Sequence, residues 1–152
     1  MKTLLLVEDG EVETFLVQRA LDRIGSPCSF QVVKNGDQAI DYLAGLGQYA
    51  DRQAYPLPAV ILLDLVMPGR NGHQVLQWIR AQPGLKALPV IIFTSSVQVE
   101  DAKAAYGSGA NDYCLKPDNV EGLRQILARI AKKWLEPDAP APQSAPARPP
   151  SP

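Results

Sequence analysis

The stretch Ala59-Val60-Ile61-Leu62-Leu63-Asp64-Leu65-Val66-Met67-Pro68-Gly69 decides the reading of this chain. A continuous apolar run bounded by turn residues reads as a strand buried on both faces, as in a parallel sheet. A carboxylate is costly inside such a strand, so Asp64 marks the point where the strand reaches its carboxyl end. Open α/β sheets keep their ligand crevices at that edge.

Apolar runs of the same length recur outward from it at Thr3 to Val7, Phe30 to Val33, Val90 to Phe93 and Asp112 to Leu115. Segments with helical period separate them. Val12, Phe15, Leu16, Ala20, Leu21 and Ile24 can share one helix face, as can Val75, Leu76 and Ile79, and later Val120, Leu123, Ile126, Leu127, Ile130 and Trp134. The β-α order repeats five times. Such alternation predicts a parallel sheet covered on both faces by helices, the doubly wound α/β class, because parallel strands need crossover connections. Asp118-Asn119-Val120-Glu121 reads as a capping box opening the last helix, and Gly107-Ser108-Gly109 as the close of the fourth.

The 152 residues, 46% hydrophobic and 20% charged, fit one globular domain with a filled core. A formal net charge of -1 and a pI near 5.8 leave no electrostatic footprint for nucleic acid or an anionic membrane. No secretory signal or membrane span is read, because Glu8-Asp9 interrupts the short apolar start, so a cytoplasmic location is expected. Cys28 and Cys114 lack any paired spacing and read as buried small hydrophobes. His73 reads as a surface residue, and Trp78 and Trp134 as partly buried helix residues. The connection Gly45 to Pro58 is long for a helix-to-strand link and reads as a surface excursion of the second helix. Residues 137–152 hold seven of the fourteen prolines and read as a disordered Pro/Ala-rich tail, leaving 1–136 as the domain.

In a parallel sheet every strand ends on the same edge, which gathers Glu8, Asp9, Asp64, Thr94 and Lys116. Two carboxylates ~5 Å apart repel by roughly 3 kcal/mol at an effective dielectric near 20, so three of them demand a cation. Oxygen ligands with room for water and phosphate oxygens suit Mg2+. Lys116 adds a flexible positive charge.

These residues, with Tyr113 before Leu115-Lys116-Pro117, resemble the response-regulator receiver domain of two-component signalling from about Lys2 to Leu135. The resemblance rests on Leu6-Val7-Glu8-Asp9, on Leu62 through Gly69, on Phe93-Thr94-Ser95-Ser96, and on Gly109 through Pro117. It implies a flavodoxin-like strand order 2-1-3-4-5 with five flanking helices. It implies that Asp64 accepts a phosphoryl group from a partner histidine kinase, that Asp9, Asp64 and the Val66 backbone carbonyl bind Mg2+ directly, and that Glu8 does so through water. Thr94 and Lys116 would hold phosphoryl oxygens, and Tyr113 would swing inward behind Thr94 and change the face made by the fourth helix, fifth strand and fifth helix, through which a homodimer is expected. A cis bond at Lys116-Pro117 is also implied. Phe93-Thr94-Ser95-Ser96 and the long 45–58 connection are similar to the stand-alone regulators of phytochrome-type histidine kinases.

Two residues depart from the common family pattern: Glu8 stands in place of the more frequent first aspartate, and Val66 puts no polar side chain beside the acceptor. The expected role is a phosphoacceptor switch, not a turnover enzyme, limited to self-phosphorylation and autodephosphorylation and without direct DNA binding. The alternative is a Mg2+-dependent phosphatase of the haloacid-dehalogenase-like class using Asp64 as nucleophile. That class normally has a second aspartate two residues on, where Val66 stands. A nucleotide- or flavin-binding domain is weaker still, since no glycine-rich phosphate loop follows the first strand.

Overall fold

A computed structural model describes residues 1–25 and 27–136. The expected tail, 137–152, lies outside the described residues. Five parallel strands, β1 (Thr3–Val7), β2 (Ser29–Val33), β3 (Val60–Leu63), β4 (Val90–Thr94) and β5 (Asp112–Leu115), form one sheet in the order β2-β1-β3-β4-β5. Five α-helices connect and flank them: α1 (Glu11–Ile24), α2 (Gly36–Ala44), α3 (Gly72–Ala81), α4 (Val99–Gly107) and α5 (Val120–Ile130), the last continuing into a π-helical turn at Ala131–Leu135. The three inner strands are buried throughout, which is why they read as nearly continuous apolar runs, with Thr3 and Thr94 at their ends. The edge strands β2 and β5 are only partly covered.

Successive side chains of each strand feed opposite faces. Leu5, Val7, Ile61, Leu63, Val90 and Ile92 pack toward α2 and α3 with Ala39, Leu43, Val75, Leu76 and Ile79. Leu4, Leu6, Val60, Leu62, Ile91 and Phe93 pack toward α1 and α5 with Val17, Leu21, Leu123, Leu127 and Ile130. Cys114 is buried in that second layer and Cys28 half-buried against it, both as free thiols.

The buried face of α1 is narrower than its sequence stripe. Val12 and Phe15 point outward, 68% and 58% exposed, because the buried face centres on Val17, Ala20 and Leu21 and the helical period turns Val12 and Phe15 away from it. Val120 at the start of α5 is likewise 53% exposed. The cap of α5 also differs from the expected box. Asn119, not Asp118, accepts from the Gly122 N–H at 2.7 Å, while Glu121 turns outward to Arg124. A complete capping box stands instead at α3, where Asn71 and Gln74 bond each other's backbone N–H groups. α4 ends at Ser108, followed by Gly109 at φ 99° as the Gly-Ser-Gly pattern requires.

The 45–58 excursion is packed. A 3-10 turn at Gly47–Ala50 buries Tyr49, whose ring meets those of Tyr42 and Tyr55, each at a centroid distance of 5.1 Å. The Arg52 guanidinium donates to the carbonyls of Tyr42, Leu43 and Tyr55, closing the orphan carbonyl end of α2. These contacts lie before β3, at the sheet edge opposite Asp64.

Candidate functional site

β1 is flanked by β2 on one side and β3 on the other, so the crossovers leave in opposite directions and open a crevice at the carboxyl ends of β1 and β3. Val7 is in register with Leu63, which places Glu8 and Asp64 side by side, and the Asp64 N–H continues the ladder to the Val7 carbonyl. Thr94 is in register with Leu115, and the Lys116 N–H bonds the Thr94 carbonyl at 2.8 Å. The backbone alone thus brings the chemistry-bearing residues to one edge.

Carboxylate oxygens of Glu8, Asp9 and Asp64 lie within 4.8 Å of one another. Glu8 and Asp64 are buried, at 3% and 6% exposure, and Asp9 is exposed. The Lys116 amine donates to Asp64 Oδ2 at 3.1 Å and lies 2.8 Å from Glu8 Oε1. The second contact is a close ion pair with poor hydrogen-bond angles, so Lys116 is the one partner of Glu8 Oε1 among the described residues. Glu8 Oε2 accepts from the Gly10 N–H, and Asp64 Oδ1 from the Val66 N–H. Burial pushes the Glu8 carboxyl above its ordinary pKa, against the lowering pull of Lys116. Burial also works against the Lys116 charge, but its bonds to Glu8 and Asp64 outweigh that and hold its pKa above the usual lysine value.

Two buried acids and an exposed third, with a single lysine charge between them, are an oxygen-only set open to solvent on the Asp9 side. Such a set fits a hard divalent cation that retains water. The Val66 side chain is 73% exposed and nonpolar, so only its backbone could contribute.

Thr94 is fully buried, and its Oγ1 accepts from the Ser96 N–H at 3.3 Å. Tyr113 is half-buried, and its hydroxyl already donates to the Ser96 carbonyl at 3.2 Å. No peptide bond among the described residues is cis, so Lys116-Pro117 is trans, contrary to expectation. Trans is the form favoured by about 0.5–1 kcal/mol for X-Pro bonds, and Lys116 reaches both carboxylates from it. His73 is not a free surface residue. Its Nε2 meets Asp101 Oδ1 at 3.3 Å across the α3-α4 junction, with the side chain only 23% exposed.

Sequence reasoning passed over Gly72, Ser96 and Asp101. A Cβ on Gly72 would stand 2.3 Å from the Asp64 carbonyl oxygen, so glycine is needed where α3 begins directly under the acceptor. The Asn71-x-x-Gln74 spacing was the available signal for that helix start. Ser96 stood in the Phe93-Thr94-Ser95-Ser96 pattern without a role of its own and Asp101 carried no signal, because their meeting depends on how α4 is set against the sheet.

The same architecture and sequence pattern recur among known proteins. The chain is 36% identical over 132 residues to the probable methanogenesis regulatory protein FilR2 of Methanothrix harundinacea, covering 87% of this chain and 83% of that one. It is 34% identical over 135 residues to response regulator Rcp1 of Synechocystis sp., covering 89% and 90%. Among solved structures it is similar to the phosphorylated cyanobacterial phytochrome response regulator RcpA, with a TM-score of 0.84 at 34% identity over 93% of this chain and 99% of that one. The Mn2+-bound form of Rcp1 gives a TM-score of 0.81 at 34% identity, over 93% and 100%. The response regulator receiver domain model matches residues 4–128, and with these likenesses at full relative length the chain belongs to that family.

Proposed function

We propose that this protein is a response regulator whose Asp64 accepts a phosphoryl group from a phosphohistidine of a partner histidine kinase, with Mg2+ as the cation. The observation that carries the reading is the Asp64 carboxylate itself. It is buried at a strand end, oriented by the Val66 N–H and by Lys116, and flanked by two further acids that a cation would join to it.

Asp64 Oδ attacks phosphorus in line as the bond to the histidine nitrogen breaks, and the imidazole leaves with its electron pair. When bound, the cation neutralises phosphoryl charge, the main electrostatic demand of such a transfer. Asp9, Asp64 and the Val66 carbonyl would hold it, and Glu8 would do so through water. Lys116, held charged by its carboxylate partners, pairs with one phosphoryl oxygen, and the Thr94 hydroxyl donates to another. The signal leaves through Tyr113 and α4, which share the Ser96 loop with Thr94.

The product is a conformation, with self-phosphorylation and autodephosphorylation as the only turnover. Likeness to Rcp1 and RcpA supports a phytochrome-type kinase as the partner. Exposed Val99 and Tyr106 on α4 and Leu115 on β5, with Val97 in the loop before α4, support a homodimer through the α4-β5-α5 face. No described helix is long and apolar enough to cross a membrane, which accords with a cytoplasmic site of action. The haloacid-dehalogenase-like alternative gains no support, since the chain falls in the receiver family and Val66 supplies no second acid.

The test is incubation with acetyl phosphate and Mg2+ followed by intact mass. A labile added phosphate is expected on the wild type and not on Asp64→Asn. Absence of label from a wild-type protein that binds Mg2+ would overturn the reading, and turnover of many phosphate esters would favour the phosphatase.

A further inference from the structure

Ser96 is the hub of the loop after β4. Its N–H donates to Thr94 Oγ1 at 3.3 Å, its carbonyl accepts from the Tyr113 hydroxyl at 3.2 Å, and its own hydroxyl donates to Asp101 Oδ2 at 2.5 Å while accepting from the Gln98 N–H. Asp101 sits in the first turn of α4, and its other oxygen meets His73 Nε2, from the first turn of α3. A carboxylate only accepts, so neutral His73 carries its hydrogen on Nε2, leaving Nδ1 a buried acceptor without a partner. The bonds from Ser96 and His73 hold the Asp101 carboxyl below its ordinary pKa.

An acid in the first turn of a helix is ordinary, because it complements the helix dipole. Glu100 does that as an exposed side chain with no bond to another element among the described residues. Asp101 differs in using both oxygens, one on the switch loop and one on the neighbouring helix. The chain of contacts runs His73, Asp101, Ser96, Thr94, and it ends on the hydroxyl assigned to the phosphoryl group.

We infer that Asp101, anchored by His73, is a positioning residue for phosphoryl transfer to Asp64: through Ser96 it fixes the Thr94 hydroxyl, and it ties the same loop to α3 and α4. The inference rests on the phosphoacceptor reading above. The Ser96 N–H occupies one lone pair of Thr94 Oγ1, which leaves the hydroxyl proton free to donate into the crevice. If Ser96 drifts, Thr94 loses that orientation even though no metal ligand or phosphoryl contact is altered.

The experiment is a cycle of variants in the full chain, read as the rate constant of acetyl phosphate labelling at saturating Mg2+, with Mg2+ affinity measured separately by calorimetry. Asp101→Ala is expected to slow labelling roughly tenfold, short of the ~10²-fold that a 1 Å misplacement of a reacting group can cost. Mg2+ affinity should not change, because the acids of the cluster are untouched. In a Thr94→Ala background the same substitution should change the rate less than about twofold, the non-additivity expected of residues that act as one unit. His73→Ala should give a smaller slowing that vanishes when Asp101 is already alanine. Ser96→Ala should reproduce the Asp101→Ala effect independently, and Ser96→Thr, which keeps the hydroxyl, should restore the rate.

Equal slowing by Asp101→Ala with and without Thr94 would show a general structural role and overturn the inference, as would an unchanged rate in both Asp101→Ala and Ser96→Ala. Absence of label from the wild type would instead defeat the phosphoacceptor reading, so the two failures are distinguishable.

Discussion

Removing the charge of Asp9 is expected to stabilise the metal-free protein and to abolish its response to Mg2+. Asp9 makes no hydrogen bond or ion pair among the described residues, whereas Lys116 is committed to Glu8 and Asp64 at 2.8 and 3.1 Å. Its carboxylate lies within 4.8 Å of both other acids. At that separation Coulomb repulsion is about 3.5 kcal/mol per pair at a dielectric of 20 and about 0.9 kcal/mol at 80. Asp9 is exposed, so the watery limit is the closer one, and two pairs give roughly 2 kcal/mol, which attraction to Lys116 reduces further. Asp9→Asn should therefore raise stability by about 1–2 kcal/mol in a chelator, a rise in Tm of about 3–6 °C for a domain of this size.

Saturating Mg2+ reverses the order. At one hundred times its Kd a bound ion stabilises the wild type by about 2.7 kcal/mol, and the variant, short of one direct ligand, gains much less. Urea denaturation followed by circular dichroism, in EDTA and in MgCl2, reads both halves. Salt supplies a control, because the gain in EDTA should shrink toward zero at 1 M, where the screening length is about 3 Å. Asp9→Asn less stable than the wild type in EDTA, or equally stabilised by Mg2+, would refute the reasoning that Asp9 adds an unpaired third charge to two acids that already share Lys116.

Lys116→Ala strands two buried carboxylates without their cation and should cost about 3–5 kcal/mol in EDTA, with part of the loss recovered in Mg2+, both read by the same denaturation assay. Gly72→Ala should cost about 1–3 kcal/mol and slow acetyl phosphate labelling, since its Cβ would push on the Asp64 carbonyl oxygen. Arg52→Lys, which cannot fork across three carbonyls, should cost about 1–3 kcal/mol while leaving the labelling rate unchanged, because the loop it closes lies at the far edge of the sheet. Asp101 has a folded pKa below its ordinary 3.8, so its contribution is present above that pH and is lost as the pH falls through the depressed value. The stability difference between wild type and Asp101→Asn should accordingly shrink on acidification below 3.8, measured by urea titration at each pH.

What was legible in the sequence, and what was not, divides along a physical line. A strand buried on both faces is almost wholly apolar, so the inner strands β1, β3 and β4 stand out in the sequence, and the edge strands β2 and β5 are found within a residue by their place in the β-α alternation. Once the sheet is parallel, convergence of Glu8, Asp9, Asp64, Thr94 and Lys116 follows from topology alone, with no side-chain contact needed to find it. Helices are less determined. A broad apolar stripe does not say which part of its width meets the sheet, and Val12 and Phe15 fall on the part that stands outside. It says still less about what crosses from one helix to the next. His73 looked like an isolated surface imidazole because its partner Asp101 is twenty-eight residues away on another helix, and the spacing of the two has no period.

The same line separates the chemistry from its control. Phosphoryl acceptance uses residues at strand ends, whose positions the backbone ladder holds rigidly and whose identities can be read in order along the chain. Control of that chemistry uses loops and helix starts, where Ser96 can serve Thr94, Tyr113 and Asp101 at once because nothing in a regular ladder claims its polar groups. A segment outside the ladder has weaker local constraints and can take a second arrangement at modest cost, which a switch requires. The residues hardest to find from sequence are therefore the ones by which occupancy of Asp64 would be felt at α4.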